Sequence, residues 1–154
     1  MLLWNGACHV HSQFSVEALI ELKKQYPDAM VLAHPECKGV ILKLADVIGS
    51  TAALLSHAQK SEKKQFIVVT ESGILHEMQK SCPDKEFIPA PPETNDGNVS
   101  CDCNECNYMR LNTLEKVYNC LRHEYPQIEV DAAIAEKAIK PIERMLDLSA
   151  KLVK

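Results

Sequence analysis

Cys101, Cys103 and Cys106 stand in the run Cys-Asp-Cys-Asn-Glu-Cys, within a chain that holds 7 cysteines. Thiolates this close repel one another and favour a soft or borderline cation, so zinc and iron-sulfur chemistry are the natural candidates. Such a trio is one ligand short of a closed structural zinc site; the bland alternative is that one or two of these thiols function and the rest are exposed. Cys8-His9-Val10-His11 is a second ligand-like group, between a strand signal and a helix signal. Backbone N–H groups at a helix start favour a thiolate there, although a packed cysteine beside two surface histidines fits the same residues.

His34-Pro35-Glu36 directly follows the apolar run Met30 to Ala33. Ligands bind at the C-terminal edge of a parallel sheet, where an imidazole and a carboxylate can work as an acid–base pair; a turn with solvated side chains is the competing reading. Gly49-Ser50-Thr51 offers hydroxyls and free backbone N–H groups to an anion, or an ordinary helix cap. Thr70-Glu71-Ser72, at the end of the next strand signal, poses the same choice more weakly.

The elements that would position these groups alternate between two periods. Met30 to Ala33, Phe66 to Thr70 and Phe87 to Ala90 read as strands, with Leu2 to Trp4 an earlier one. The first two of the three later runs are continuously apolar, as in strands buried on both faces of a parallel sheet. Helical spacing covers Ser15 to Tyr26, Val40 to Ile48, Ala52 to Ala58 and Ile74 to Lys80. Strand then helix, repeated, predicts right-handed βαβ units, an α/β fold with a parallel sheet and flanking helices. Pro89 to Asn98 reads as a loop that delivers the cysteines. Leu111 to Arg122 and Ala132 to Leu152 read as helices, and Pro141 should begin a new helix or kink a long one.

The chain has 154 residues, a formal net charge of -4 and 46% hydrophobic residues. That balance disfavours a nucleic-acid partner, which needs clustered Lys and Arg. No apolar stretch approaches the roughly 20 residues of a membrane span, so a cytoplasmic location with no membrane is the expectation.

Together and in this order, the segments WNGACHVH, VLAHPEC, ADVIGST, FIVVTESGIL, the cysteine run followed by NYMRLNTL, and KAIKPIERML resemble the quinolinate synthase family. The resemblance implies one domain of a three-domain pseudo-threefold α/β architecture, with residues 1–28 ending the preceding domain, 29–122 forming the domain that carries the motifs, and 123–154 a helical tail packing on an N-terminal domain. It implies condensation of iminoaspartate with dihydroxyacetone phosphate to quinolinate in NAD biosynthesis, and a functional link to L-aspartate oxidase. It also implies a 4Fe-4S cluster whose open iron acts as a Lewis acid. Carried over by position, Cys8 and Cys106 are cluster ligands and Cys101 and Cys103 auxiliary. Glu36, His34 and His11 are catalytic, and His34, Glu36, Ser50 and Thr51 bind substrate.

Family members also have a long N-terminal half with the first cluster cysteine, which has no counterpart here, so the chain alone is expected to be inactive. The local Cys-x-Cys-x-x-Cys spacing departs from that of some relatives and puts the role of Cys101 in doubt. The rival readings are a small zinc-binding or redox module built on Cys101, Cys103 and Cys106, and a noncatalytic interaction domain left by gene splitting.

Overall fold

Short, strongly apolar strands set the architecture, and the computed structural model describes it for residues 6–93 and 104–152. The elements in order are α1 (His9–Ser12), α2 (Val16–Gln25), β1 (Met30–Ala33), α3 (Gly39–Leu44), β2 (Val47–Ile48), α4 (Thr51–Lys60), β3 (Gln65–Val69), α5 (Ile74–Ser81), β4 (Glu86–Pro89), α6 (Leu114–His123) and α7 (Ala132–Leu152). The strands are all parallel, in the order β2-β1-β3-β4. The α/β class with flanking helices is therefore as the periodicity predicts.

The inner strands β1 and β3 are buried on both faces, which is why their sequences show no alternation. On one face Val31, Ala33, Ile67 and Val69 pack with Phe14, Leu19 and Ile41 from the α1–α2 junction, α2 and α3. On the other, Leu32, Phe66 and Val68 pack with Leu54, Ala58 and Met78 from α4 and α5. The chain runs outward from β1 to β2, then crosses back over the opposite face to β3. The strand order thus reverses between β1 and β3, and the helices that follow them, α3 and α5, pack on opposite faces, the setting in which a ligand crevice forms at the strand ends.

Local signals start the helices where the sequence places them. Ser15 Oγ accepts the Ala18 N–H at 3.1 Å at the start of α2, and Ser50 Oγ accepts the Ala53 N–H at 3.3 Å at the start of α4.

Several expectations need correction. The helix read over Val40 to Ile48 ends at Leu44, and Val47–Ile48 form an edge strand instead. Asp46 causes the break: its Oδ2 accepts the Val31 N–H at 2.7 Å, and its backbone N–H donates to the Val31 carbonyl at 2.9 Å, so the chain is drawn into the sheet. The Pro-rich loop is not wholly irregular, because Pro89 ends the edge strand β4 and Pro92 bridges Phe14. A proline is tolerated at an edge, where its missing N–H breaks no central ladder. The helix read from Leu111 starts at Leu114, after a short 3-10 turn at Met109–Leu111. Pro141 starts no new helix, since α7 runs through it. The strand read at Leu2 to Trp4 lies outside the described residues.

Two compact units divide the chain, Met1–Leu111 and Asn112–Lys154. The second contains α6, capped by Thr113 Oγ1 on the Lys116 N–H at 3.2 Å, and α7. Leu114, Val117, Tyr118 and Leu121 recur at helical spacing on α6 and are exposed, as are Ile139, Ile142, Met145 and Leu146 on α7. No helix among the described residues is long and apolar enough to cross a membrane.

Candidate functional site

The C-terminal ends of β1, β2 and β3 gather the residues singled out by their chemistry. His34 follows β1 and continues its pairing, donating its N–H to the Val69 carbonyl at 3.1 Å. Gly49 follows β2 and donates to the Ala33 carbonyl at 3.1 Å, which brings Ser50 and Thr51 to the same edge. Thr70 follows β3 and is buried. Above them, α1 is held down by the buried side chains of Val10 and Phe14. The segment around Phe14 is pinned in turn: Ser15 N–H donates to the Pro91 carbonyl at 3.3 Å, Glu93 N–H donates to the Gln13 carbonyl at 2.6 Å, and Lys38 pairs with Glu93.

This brings His11 onto His34. The two rings stack with centroids 4.0 Å apart and planes 7° from parallel. Glu36 Oε2 lies 3.3 Å from His11 Nδ1 and 3.6 Å from His34 Nδ1, and the Glu36 N–H donates to His34 Nδ1 at 3.3 Å. His11 Nε2 lies 3.0 Å from Thr70 Oγ1. Because a carboxylate only accepts, His11 Nδ1 must carry the proton shared with Glu36; in the neutral ring Nε2 then accepts from the Thr70 hydroxyl. His34 takes the opposite tautomer, since its Nδ1 accepts a backbone N–H. Burial, and next the charge of His34, hold the His11 pKa below its ordinary value of 6.5, against the pull of Glu36. His11 is therefore mostly neutral at pH 7, beside a half-exposed carboxylate that reaches solvent.

Beside this cluster is a cleft of ≈ 400 Å³ lined by Cys8, Val10, His11, Thr51, Thr70, Glu71, Gly73, Ile74, Glu77, Cys106 and Met109. Cys8 caps α1 and is half-buried, as is Cys106, which precedes the 3-10 turn. α1 has only 4 residues, so the helix-dipole effect that the sequence suggests for Cys8 is small. His34 and Glu36 join the cleft only through His11, and Ser50 is exposed with its hydroxyl engaged as a helix cap. Cys8, His11 and Glu36 have ligand atoms within 4.8 Å of one another, a spacing that suits a metal ion. Cys37 and Cys82 are buried, and burial pushes the Cys37 thiol up to about 11. Cys101 and Cys103 lie outside the described residues.

One contributor, Asn104, escapes sequence reasoning, and another, Glu71, is marked there only weakly within Thr70-Glu71-Ser72. Glu71 binds two backbone N–H groups, of Gly73 at 2.7 Å and Cys106 at 3.3 Å. Asn104 is buried and donates to the Val10 carbonyl at 2.6 Å. The only local signal for either is its closeness to a strand end or a cysteine.

The chain matches the family described as Quinolinate synthetase A protein over residues 1–147. The quinolinate synthase of Chloroherpeton thalassium is 56% identical over 149 residues, which cover 97% of this chain and 45% of that protein. Those of Synechocystis sp. and Thermosynechococcus vestitus are 54% and 53% identical, again over 97% of this chain and covering 45% and 46% of the relatives. The chain thus spans less than half the length of these relatives. With nearly every residue matched, it belongs to the quinolinate synthetase A family.

Proposed function

We propose that the chain supplies the C-terminal part of a quinolinate synthase, which condenses iminoaspartate with dihydroxyacetone phosphate in cytoplasmic NAD biosynthesis, L-aspartate oxidase supplying the iminoaspartate. The observation that carries this reading is that Cys8 and His11, Thr51, and Cys106, from three segments far apart in sequence, line one cleft at the strand ends. The donor set fits an iron-sulfur cluster in part. Half-buried free thiols at Cys8 and Cys106 open on the cleft, whereas Cys37 and Cys82 are withdrawn into the core. The remaining cysteine would come from an N-terminal half, which would also cover the exposed apolar faces of α6 and α7 and complete the three-domain architecture. When bound, the cluster supplies an open iron as Lewis acid.

The chain's own residues have separable tasks. Thr51 and the backbone N–H groups at the start of the ten-residue α4 face anionic groups of the substrates. The Ser50 hydroxyl supports them as the cap. Glu36 accepts or returns protons, because its carboxylate is half-exposed while held by His11. His11 stays neutral and orients Glu36, and His34 holds a hydrogen bond or carries a proton through Nε2.

Reconstitution tests the reading. The chain alone should hold a 4Fe-4S cluster poorly and make no quinolinate, and a polypeptide matching the N-terminal half of its relatives should restore both. Cys106→Ala in the assembled protein should abolish the cluster, and Cys103→Ala should not. Robust quinolinate formation by the chain alone overturns the proposal.

A further inference from the structure

Cys8 and Cys106 are nearly a hundred positions apart, and among the described residues no element of secondary structure contains both. A shared set of hydrogen bonds does. Asn104, two residues before Cys106, is buried at 5% exposure, and its Nδ2 donates to the carbonyl of Val10, two residues after Cys8, at 2.6 Å. The Asn104 carbonyl accepts the Ser72 N–H at 3.2 Å, tying the same strand of chain to the β3–α5 turn. Glu71 adds the second tie, its Oε1 accepting the Cys106 N–H at 3.3 Å while Oε2 accepts the Gly73 N–H at 2.7 Å. A Cβ at position 73 would stand 2.7 Å from Glu71 Oε2, so the glycine is what lets this carboxylate fold back over the start of α5.

The bonds of Asn104 and of Glu71 Oε1 each join a thiol-bearing segment either to the other one or to the turn after β3, and the Gly73 N–H fixes the Glu71 carboxylate that makes the last of them. Buried amide bonds are strong where water cannot replace them, and a carboxylate on two N–H groups is stronger than a neutral acceptor. We propose that Asn104 and Glu71 are positioning residues that set the spacing of the Cys8 and Cys106 thiols before any metal group arrives. Neither is a ligand. A site that must meet a rigid group needs its donors held by a supporting layer, and here that layer lies in the chain itself. The purpose assigned to the spacing rests on the proposed cluster function, but the spacing exists, and is testable, without it.

The test uses the whole chain, with Cys101, Cys103 and Cys120 changed to Ser and no metal added. A short bis-maleimide is applied, and peptide mass spectrometry gives the ratio of Cys8–Cys106 cross-link to single adducts. Asn104→Asp keeps the side-chain shape but cannot donate to Val10. Glu71→Gln has one acceptor oxygen and can serve only one of the two N–H groups. Each should lower the cross-link ratio roughly fivefold, the loss of about one net hydrogen bond, while single-adduct rates at Cys8 and Cys106 stay unchanged. A merely structural role would shift the melting temperature and leave the ratio alone, and that result overturns the proposal. Should Asn104→Asp fail to fold, the partly exposed Glu71→Gln decides by itself. Failure of the N-terminal half to restore a cluster would sink the proposed function and leave the cross-link result standing.

Discussion

Thr70→Val isolates the buried hydrogen bond at the outer nitrogen of the stacked His11 ring. Valine keeps the volume of threonine and removes the one hydroxyl that can donate to His11 Nε2, now 3.0 Å away. Thr70 is 3% exposed and His11 7%, so the nitrogen loses its partner in a largely dry place. A buried acceptor left unpaired costs about 1–3 kcal/mol. Both residues border the cleft, where water can partly substitute, which puts the expectation in the lower half of that range, about 1–2 kcal/mol. For a unit of this size each kcal/mol moves the melting temperature by about 4–8 °C. Thr70→Ser should lose only the share of one methyl, about 0.8 kcal/mol, and keep the hydrogen bond. Thermal melts followed by circular dichroism give the stability, and nitrogen NMR of the His11 ring reports the tautomer directly. The valine variant should melt lower and show a mixed His11 tautomer, whereas the serine variant should keep the proton on Nδ1. A valine variant that melts with the parent and retains the tautomer would refute the hydrogen-bond assignment.

Two further outcomes follow from the same cluster. In the reconstituted enzyme Glu36→Gln should leave the cluster absorbance intact and lower turnover about 10²–10⁴-fold, since it removes a proton-transfer group and no ligand; cluster loss in that variant would contradict the division between ligands and acid–base residues. The lowered His11 pKa makes the unfolded chain the better proton acceptor, so its contribution to stability is fully present above pH 6.5 and is lost as pH falls through the lower folded value. Denaturation midpoints between about pH 7.5 and pH 5 should thus fall more steeply for the parent than for His11→Gln, and parallel profiles would count against the burial argument.

What the sequence determined by itself is local and periodic. Continuous apolar runs at Met30 to Ala33 and Phe66 to Val69 read as strands covered on both faces, and Ser15 and Ser50 mark helix starts through bonds to N–H groups three residues on. The family was equally legible, because its motifs survive as short ordered strings. Tertiary structure alone decided the rest. Val47–Ile48 has too few residues to show a period of its own and becomes a strand only because Asp46 binds Val31 across the sheet. The stacking of His11 on His34 depends on the burial of Val10 and Phe14, which brings α1 down on an edge made by residues far along the chain. Asn104 and Glu71 look like ordinary loop polar residues until the fold sets the Val10 carbonyl and the Cys106 N–H beside them. Hydrophobic periodicity encodes which face of an element is buried, and it carries nothing about which loops meet at the ends of the strands. Hydrogen bonds between residues distant in sequence form only after burial has brought the loops together, and here that is what sets Cys8 and Cys106 on one cleft.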